Sequence, residues 1–140
     1  MSANHKFIDH TADIAFDVSA DSLEELFFES ARAWRISVIG DIATKALSNR
    51  KLNISAGSLE ELLVNFLNEL NFFLTTKKWL AIIFNNLVVD KTNLLLSATV
   101  SGFQIDESVE MKEEIKSVTY HQMEIVKIDN KFTTRVVFDI

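Results

Sequence analysis

Two nine-residue stretches constrain the fold more than anything else in this chain. Residues 18–26 read VSADSLEEL and residues 54–62 read ISAGSLEEL, identical at seven of nine positions and 36 residues apart. Each follows a short stretch of β character (Ile14, Phe16 and Val18; Leu52 and Ile54), and each opens a helical pattern. The chain therefore holds two β–turn–α units, as an old duplication would leave; two copies are too few for a solenoid. Both helix starts fit the S-x-x-E capping box, with Ser22 and Glu25 in one copy and Ser58 and Glu61 in the other. In that box the serine side chain accepts from the N3 amide and the glutamate reaches back to the cap amide. The acidic pairs Glu24-Glu25 and Glu60-Glu61 also sit at the positive end of each helix dipole.

Beyond the caps the spacing is helical. Leu23, Leu26, Phe27, Ala31 and Trp34 share one face, and Leu59, Leu62, Leu63, Phe66, Leu67, Leu70, Phe73 and Leu74 hold another for about four turns. The second half reads as strands. Trp79–Phe84 is a continuous apolar run. Asn86–Val89 and Leu94–Ser101 flank the polar tip 90–93, and Val118–Ile128 and Phe132–Ile140 flank 129–131, two hairpin signals. Residues 106–116 are polar and fit either a strand edge or a mobile loop. The expected fold class is α+β: two β–turn–α units plus hairpins, with two main helices packed on mixed or antiparallel sheet, in one domain spanning 1–140.

Composition removes whole classes of function. There is no cysteine, so disulfides, thiolate zinc sites, Fe–S clusters and a cysteine nucleophile are excluded. The only glycines, Gly40, Gly57 and Gly102, are too far apart for a P-loop or a dinucleotide fingerprint. Fourteen Lys and Arg against twenty Asp and Glu give a net charge of −6, without the clustered cations that direct, tight nucleic-acid binding requires. The longest apolar run, Trp79 to Phe84, is six residues against about twenty needed to span a bilayer, and the first residues lack a signal-type apolar core. The reading is a soluble, cytoplasmic protein with no membrane partner.

Chemistry concentrates in two places. Residues 7–31 carry seven carboxylates; Glu24 to Glu29 belong to a helix, but Asp9, His10 and Asp13 lie in FIDHTADIAF, where a chain places a tight turn. The sequence also stops at Arg-Val-Val-Phe-Asp-Ile, inside a strand-like pattern. Period two puts Val136, Phe138 and Ile140 on one face and Arg135, Val137 and Asp139 on the other. Asp139 and the terminal carboxylate of Ile140 then form either a cation site or, in the blander case, Asp139 pairs with Arg135 or a lysine. With three histidines in all, His5, His10 and His121, a zinc site of several imidazoles is not expected. His121 alternates with Met123 and Ile125 and reads as a partly buried histidine. No serine sits in a nucleophile-elbow context.

These motifs together resemble the archease family. FIDHTADIAFDVSADSLEELF is similar to that family's opening, SLEELLVNFLNELNFFL to its second helix, and IKSVTYHQMEI followed by RVVFDI to its close, so the resemblance runs from about residue 7 to residue 140. Ser117 stands where the family more usually has alanine, and the region 35–50 matches weakly. The resemblance implies an accessory protein rather than an enzyme: one that activates an RtcB-type RNA ligase in tRNA splicing by promoting guanylylation of the ligase histidine and repeated turnover. It implies a metal site at Asp13, Asp139 and the Ile140 carboxylate, with His10, Thr11 and His121 in supporting roles. Oxygen donors alone suit a hard cation, calcium first, with magnesium and manganese as alternatives. The rival reading is a small metal-dependent phosphoester hydrolase using Asp13, Asp139 and His10 or His121; a third is a general chaperone, which would expose a large apolar patch.

Overall fold

The computed structural model describes residues 3–8, 13–40, 48–120 and 123–140. In chain order these are β1 (Asn4–Ile8), β2 (Asp13–Ala20), α1 (Leu23–Val38), β3 (Ser48–Ser55), α2 (Leu59–Lys77), β4 (Trp79–Asp90), β5 (Leu95–Gln104), β6 (Ser117–Thr119), β7 (Val126–Ile128) and β8 (Lys131–Asp139). One sheet has the order β1-β2-β8-β6, with β7 also paired to β8; the other has the order β3-β5-β4. Every pairing is antiparallel.

The duplicated stretches are two interleaved copies of one unit. The inner copy runs β3–α2–β4–β5, with β5 between β3 and β4. The outer copy is β2–α1 at the front and β6, β7 and β8 at the back, with β8 between β2 and the pair β6/β7. The inner copy is inserted whole between α1 and β6. The two short strands of the outer copy take the place of the single β4, which itself carries register breaks at Ala81/Ile83 and Asn85/Val88.

The helices interlock the copies. Helix α1 packs on β2 and reaches β4; α2 packs on β3, β4 and β5 and reaches β6. Both predicted apolar stripes are buried, apart from a half-buried Leu59. A run of rings, Phe28–Phe84–Phe66–Phe27, passes from α1 over β4 and α2 back to α1, with centroids 5.9–6.0 Å apart. Offset and edge contacts at that spacing add to the simple burial of apolar area. At the core's centre the Trp34 indole N–H donates to Asn71 Oδ1 at 3.0 Å.

The caps form as the sequence predicts in one half and differently in the other. Ser22 Oγ accepts from Glu25 N–H and Ser58 Oγ from Glu61 N–H, both at 3.1 Å. The glutamates that act further are their neighbours. Glu24 Oε2 accepts from Val89 N–H on β4, and Glu60 Oε2 accepts from Ile125 N–H beside β7, each at 2.9 Å. Both bonds span 65 residues, and each ties a helix N-terminus to the other copy.

Three local readings change. Strand β1 was not foreseen. Trp79–Phe84 and Asn86–Val89 are one strand bent by a bulge, with Asn86 at φ 54°. Within residues 118–128 the described strands are the short β6 and β7, and the described residues 120 and 123–125 belong to neither. Residues 106–116, which as sequence fit a strand edge or a loop, are a loop with a turn at 107–108, tied by Lys112 N–H to Val38 C=O and by Lys116 N–H to Asp139 C=O. The hairpin at Asp129-Asn130 is a two-residue turn with both residues at positive φ, 51° and 65°, the primed geometry such hairpins favour.

Gly102 of β5 is the cross-strand partner of Ala81 on β4, and a Cβ there would overlap the Leu80 carbonyl and the Trp79 ring. Gly102→Ala is expected to lower stability by about 1–3 kcal/mol, read as a shift of the urea midpoint with an unchanged slope.

Candidate functional site

The two acids singled out from sequence meet in the ladder. Asp13 begins β2 and Asp139 ends β8, and the register makes them direct cross-strand partners. The next strand continues the row, because Ser117 of β6 is the partner of Asp139 on its other side. Residues directly opposite on one face have Cβ atoms about 4.5–5.5 Å apart, and like charges there are destabilising. Asp139 is exposed, Asp13 is half-buried, and Oδ1 of Asp13 is withdrawn from solvent. Ile140 follows directly, with its side chain packed against the core.

Asp139 does not pair with Arg135. That guanidinium is taken by Asp17, with Nε 2.8 Å from Oδ1 and Nη2 3.2 Å from Oδ2. The Asp17 carboxylate also raises Arg135 above its usual range, chiefly through this hydrogen bond. The Asp17–Arg135 pair lies on the same outward face as Asp13 and Asp139, four residues along each strand, or about 13 Å. It lines a groove of about 550 Å³ together with Lys6, Val18, Glu124 and Val126.

The duplication supplies an internal comparison. Ser19 and Ser55 are equivalent in the repeated stretch, and six residues earlier on each strand stand Asp13 and Asn49. Their partners, found by the same count along β8 and β5, are Asp139 and Ser101. In the inner copy this position is neutral, and Ser101 Oγ donates to Asn49 Oδ1 at 2.6 Å. One scaffold position thus holds a hydrogen-bonded Ser–Asn pair in one copy and two facing carboxylates in the other. Like charges so placed repel each other, and a cation between the acids would relieve that repulsion. The donor set is oxygen only, so it fits a hard cation and not zinc.

Among the described residues no three His, Cys, Asp or Glu side chains come together as a metal group. A third donor for the pair would be the main-chain carboxylate of Ile140. His10, Thr11 and His121 lie outside the described residues. Sequence reasoning missed the role of Ser117 as the third member of the acidic row, and it missed Asn49 and Ser101. The 36-residue offset carried back along the strand identifies Asn49 as the counterpart of Asp13.

An α+β protein of two interlocked β–α–β–β copies, with facing acids at one equivalent position and neutral groups at the other, is the class these features define. The chain belongs to the archease family: the Archease protein family model matches residues 5–140. It is 32% identical to the protein named "Protein archease" of Methanothermobacter thermautotrophicus, over 96% of this chain and 97% of that one. The fold is similar to the solution structure of Methanobacterium thermoautotrophicum protein 1598, with a TM-score of 0.79, 29% identity and 97% and 98% of the two chains covered. It is also similar to the crystal structure of an archease, described as a possible chaperone, from Thermotoga maritima, with a TM-score of 0.67, 24% identity and 96% of each chain covered.

In chelator, Asp139→Asn is expected to be at least as heat-stable as the wild type, by a few tenths to about 1 kcal/mol, because it removes a like-charge cross-strand pair. Added salt should narrow the gap, since one partner is exposed; calorimetric melting at two salt concentrations reads both effects.

Proposed function

We propose that this chain is an accessory factor that activates an RtcB-type RNA ligase in tRNA splicing, promoting guanylylation of the ligase and its repeated turnover. Family membership supports the reading, and the single observation that carries it is the facing pair Asp13 and Asp139 where the other copy has Asn49 and Ser101. Asp13, Asp139 and the Ile140 carboxylate would hold the ion, calcium first and magnesium or manganese as alternatives, with His10, Thr11 and His121 in support. Such an ion, when bound, supplies positive charge that stabilises charge developing on a phosphoryl group.

The chain's own part is positional. Two paired strands hold Asp13 and Asp139 opposite each other, and the Lys116 N–H on the Asp139 carbonyl fixes the end of β8 at 2.8 Å. A rigid acidic edge of this kind can enter another protein's active site without first being ordered, which preserves affinity. The partner is the ligase rather than the RNA alone, because a net charge of −6 leaves few phosphate contacts. No helix among the described residues is long and apolar enough to cross a membrane, and the compartment that goes with the reading is the cytoplasm. The apolar stripes of both helices are buried against sheet, which favours the activator over a general chaperone exposing a large apolar patch.

Asp13→Ala and Asp139→Ala are each expected to abolish ligase stimulation over many turnovers while the circular dichroism spectrum is kept; stimulation at the wild-type level would reject the site. Turnover of phosphoesters by the protein alone would replace the accessory reading with the hydrolase. Residues added after Ile140 convert its carboxylate to a neutral carbonyl, so a C-terminal extension is expected to weaken calcium or manganese binding in calorimetry and to reduce stimulation, whereas an N-terminal one joined ahead of β1 is not. In a gel-shift at physiological salt, the protein alone is expected to bind tRNA weakly.

A further inference from the structure

We infer that Asn68 of α2 is a positioning residue for Asp139, acting through the edge strand β6. The inference rests on the reading of Asp13 and Asp139 as the working pair. Strand β6 has only three residues, too few to hold its place by ladder bonds alone. Val118, at its centre, turns both backbone groups to α2. Its N–H donates to Asn68 Oδ1 at 2.8 Å, and its C=O accepts from Asn68 Nδ2 at 3.3 Å. The primary amide does for Val118 what the peptide of a further strand would do, since it carries one acceptor and two donors on one plane. An edge that would otherwise present open groups is closed by a side chain.

One turn further along α2, Asn71 repeats the grip. It is 5% exposed; its Nδ2 donates to the Ile115 carbonyl at 2.7 Å, while its Oδ1 accepts from Trp34. The helix thus holds the chain at residues 115 and 118. The two residues between these points are the ones that meet Asp139: Lys116 through its N–H, and Ser117 as the cross-strand partner. The Trp34 bond ties Asn71 to the core, so Asn68 is the member of the clamp whose side-chain oxygen and nitrogen both bond to β6.

The other copy lacks the clamp. The counterparts of Asn68 and Asn71, 36 residues earlier, are Arg32 and Arg35 on α1. Arg32 turns to Glu29 at 3.4 Å. Strand β4, the counterpart of β6 and β7, is twelve residues long and pairs with β5 along its length. The clamp occurs only where the facing pair is acidic and the neighbouring strand is short. Asparagine is a poor helix former, so two of them a turn apart inside α2 are not there for the helix.

The test is Asn68→Ala, a change that favours the helix and removes only the clamp. By hydrogen exchange, the Lys116 amide is expected to lose protection while the amides of Ala98 and Val100 on β5 keep theirs. By calorimetry, manganese affinity is expected to fall about 10-fold, as for loss of a group that orients a ligand. Val100→Ala, in the core of the other sheet, lowers global stability and is expected to leave manganese affinity unchanged. Asn68→Asp keeps the acceptor for Val118 N–H and loses the donor, and is expected to show intermediate exchange; it serves if the alanine variant does not fold. Wild-type protection of Lys116, or wild-type manganese affinity, in a folded Asn68 variant would overturn the inference. If the wild type itself binds no manganese or calcium, the metal reading of the acidic pair falls, and the Lys116 exchange alone decides whether Asn68 positions Asp139.

Discussion

The arrangement depends on an exchange of hydrogen bonds between two copies of one unit. Glu24 in the first helix caps an amide of the inner copy, and Glu60 in the second caps an amide of the outer copy. Each helix packs mainly on its own sheet and reaches one strand of the other; without that exchange the chain could fold as two smaller bodies with smaller cores. A unit of about sixty residues buries a lower fraction of its surface than a chain of this length and is correspondingly marginal. Interlocking replaces two marginal cores with one, and the aromatic run through Phe84 and Phe66 occupies the place where the copies meet.

The parts of the fold that local chemistry decides were legible in the sequence. Helix stripes, serine caps and the two hairpin tips depend on residues within about four positions of one another, and all formed. What failed was decided at long range. Glu24 and Glu60 do not differ from Glu25 and Glu61 as residues; which carboxylate meets a distant amide depends on where β4 and β7 pass. Strand β1 carries His5 and Lys6 and gives a weak strand signal, yet it is held by an eight-residue partner and by His5 against the buried Glu29 at 2.5 Å. The separation of β6 from β7 was unreadable because residues 118–128 alternate well enough for one strand, while the bonds of Asn68 to Val118 and of Glu60 to Ile125 are made at long range.

The site was legible as two separate oddities and not as one place. Asp13 stood out because acids and a histidine fall where the sequence suggests a turn, and Asp139 because the sequence stops within a strand pattern. Their juxtaposition requires β2 and β8 to be neighbours with a particular register, and slipping it by one residue would put Asp13 opposite Phe138 or the chain end. That register is fixed by the buried faces: Phe16 and Phe138, with ring centroids 5.2 Å apart, pack on the helix side only in the observed alignment. The apolar face therefore sets the spacing of the acidic one.

A duplicated scaffold offers two equivalent positions for a costly feature, and here one copy carries it. The inner copy, 48–104, has five basic and four acidic residues; the rest of the chain has nine basic and sixteen acidic ones. Facing carboxylates weaken the sheet that carries them, so a chain with both positions acidic would incur the penalty twice for one functional edge. Keeping Asn49 and Ser101 neutral leaves the inner sheet with a good hydrogen bond at that point. Concentrating the negative charge in the outer copy also gives the molecule a polarised field. Such a field raises the local concentration of cations and orients an approaching partner before contact. Stability and function are thus divided between copies that share a single core.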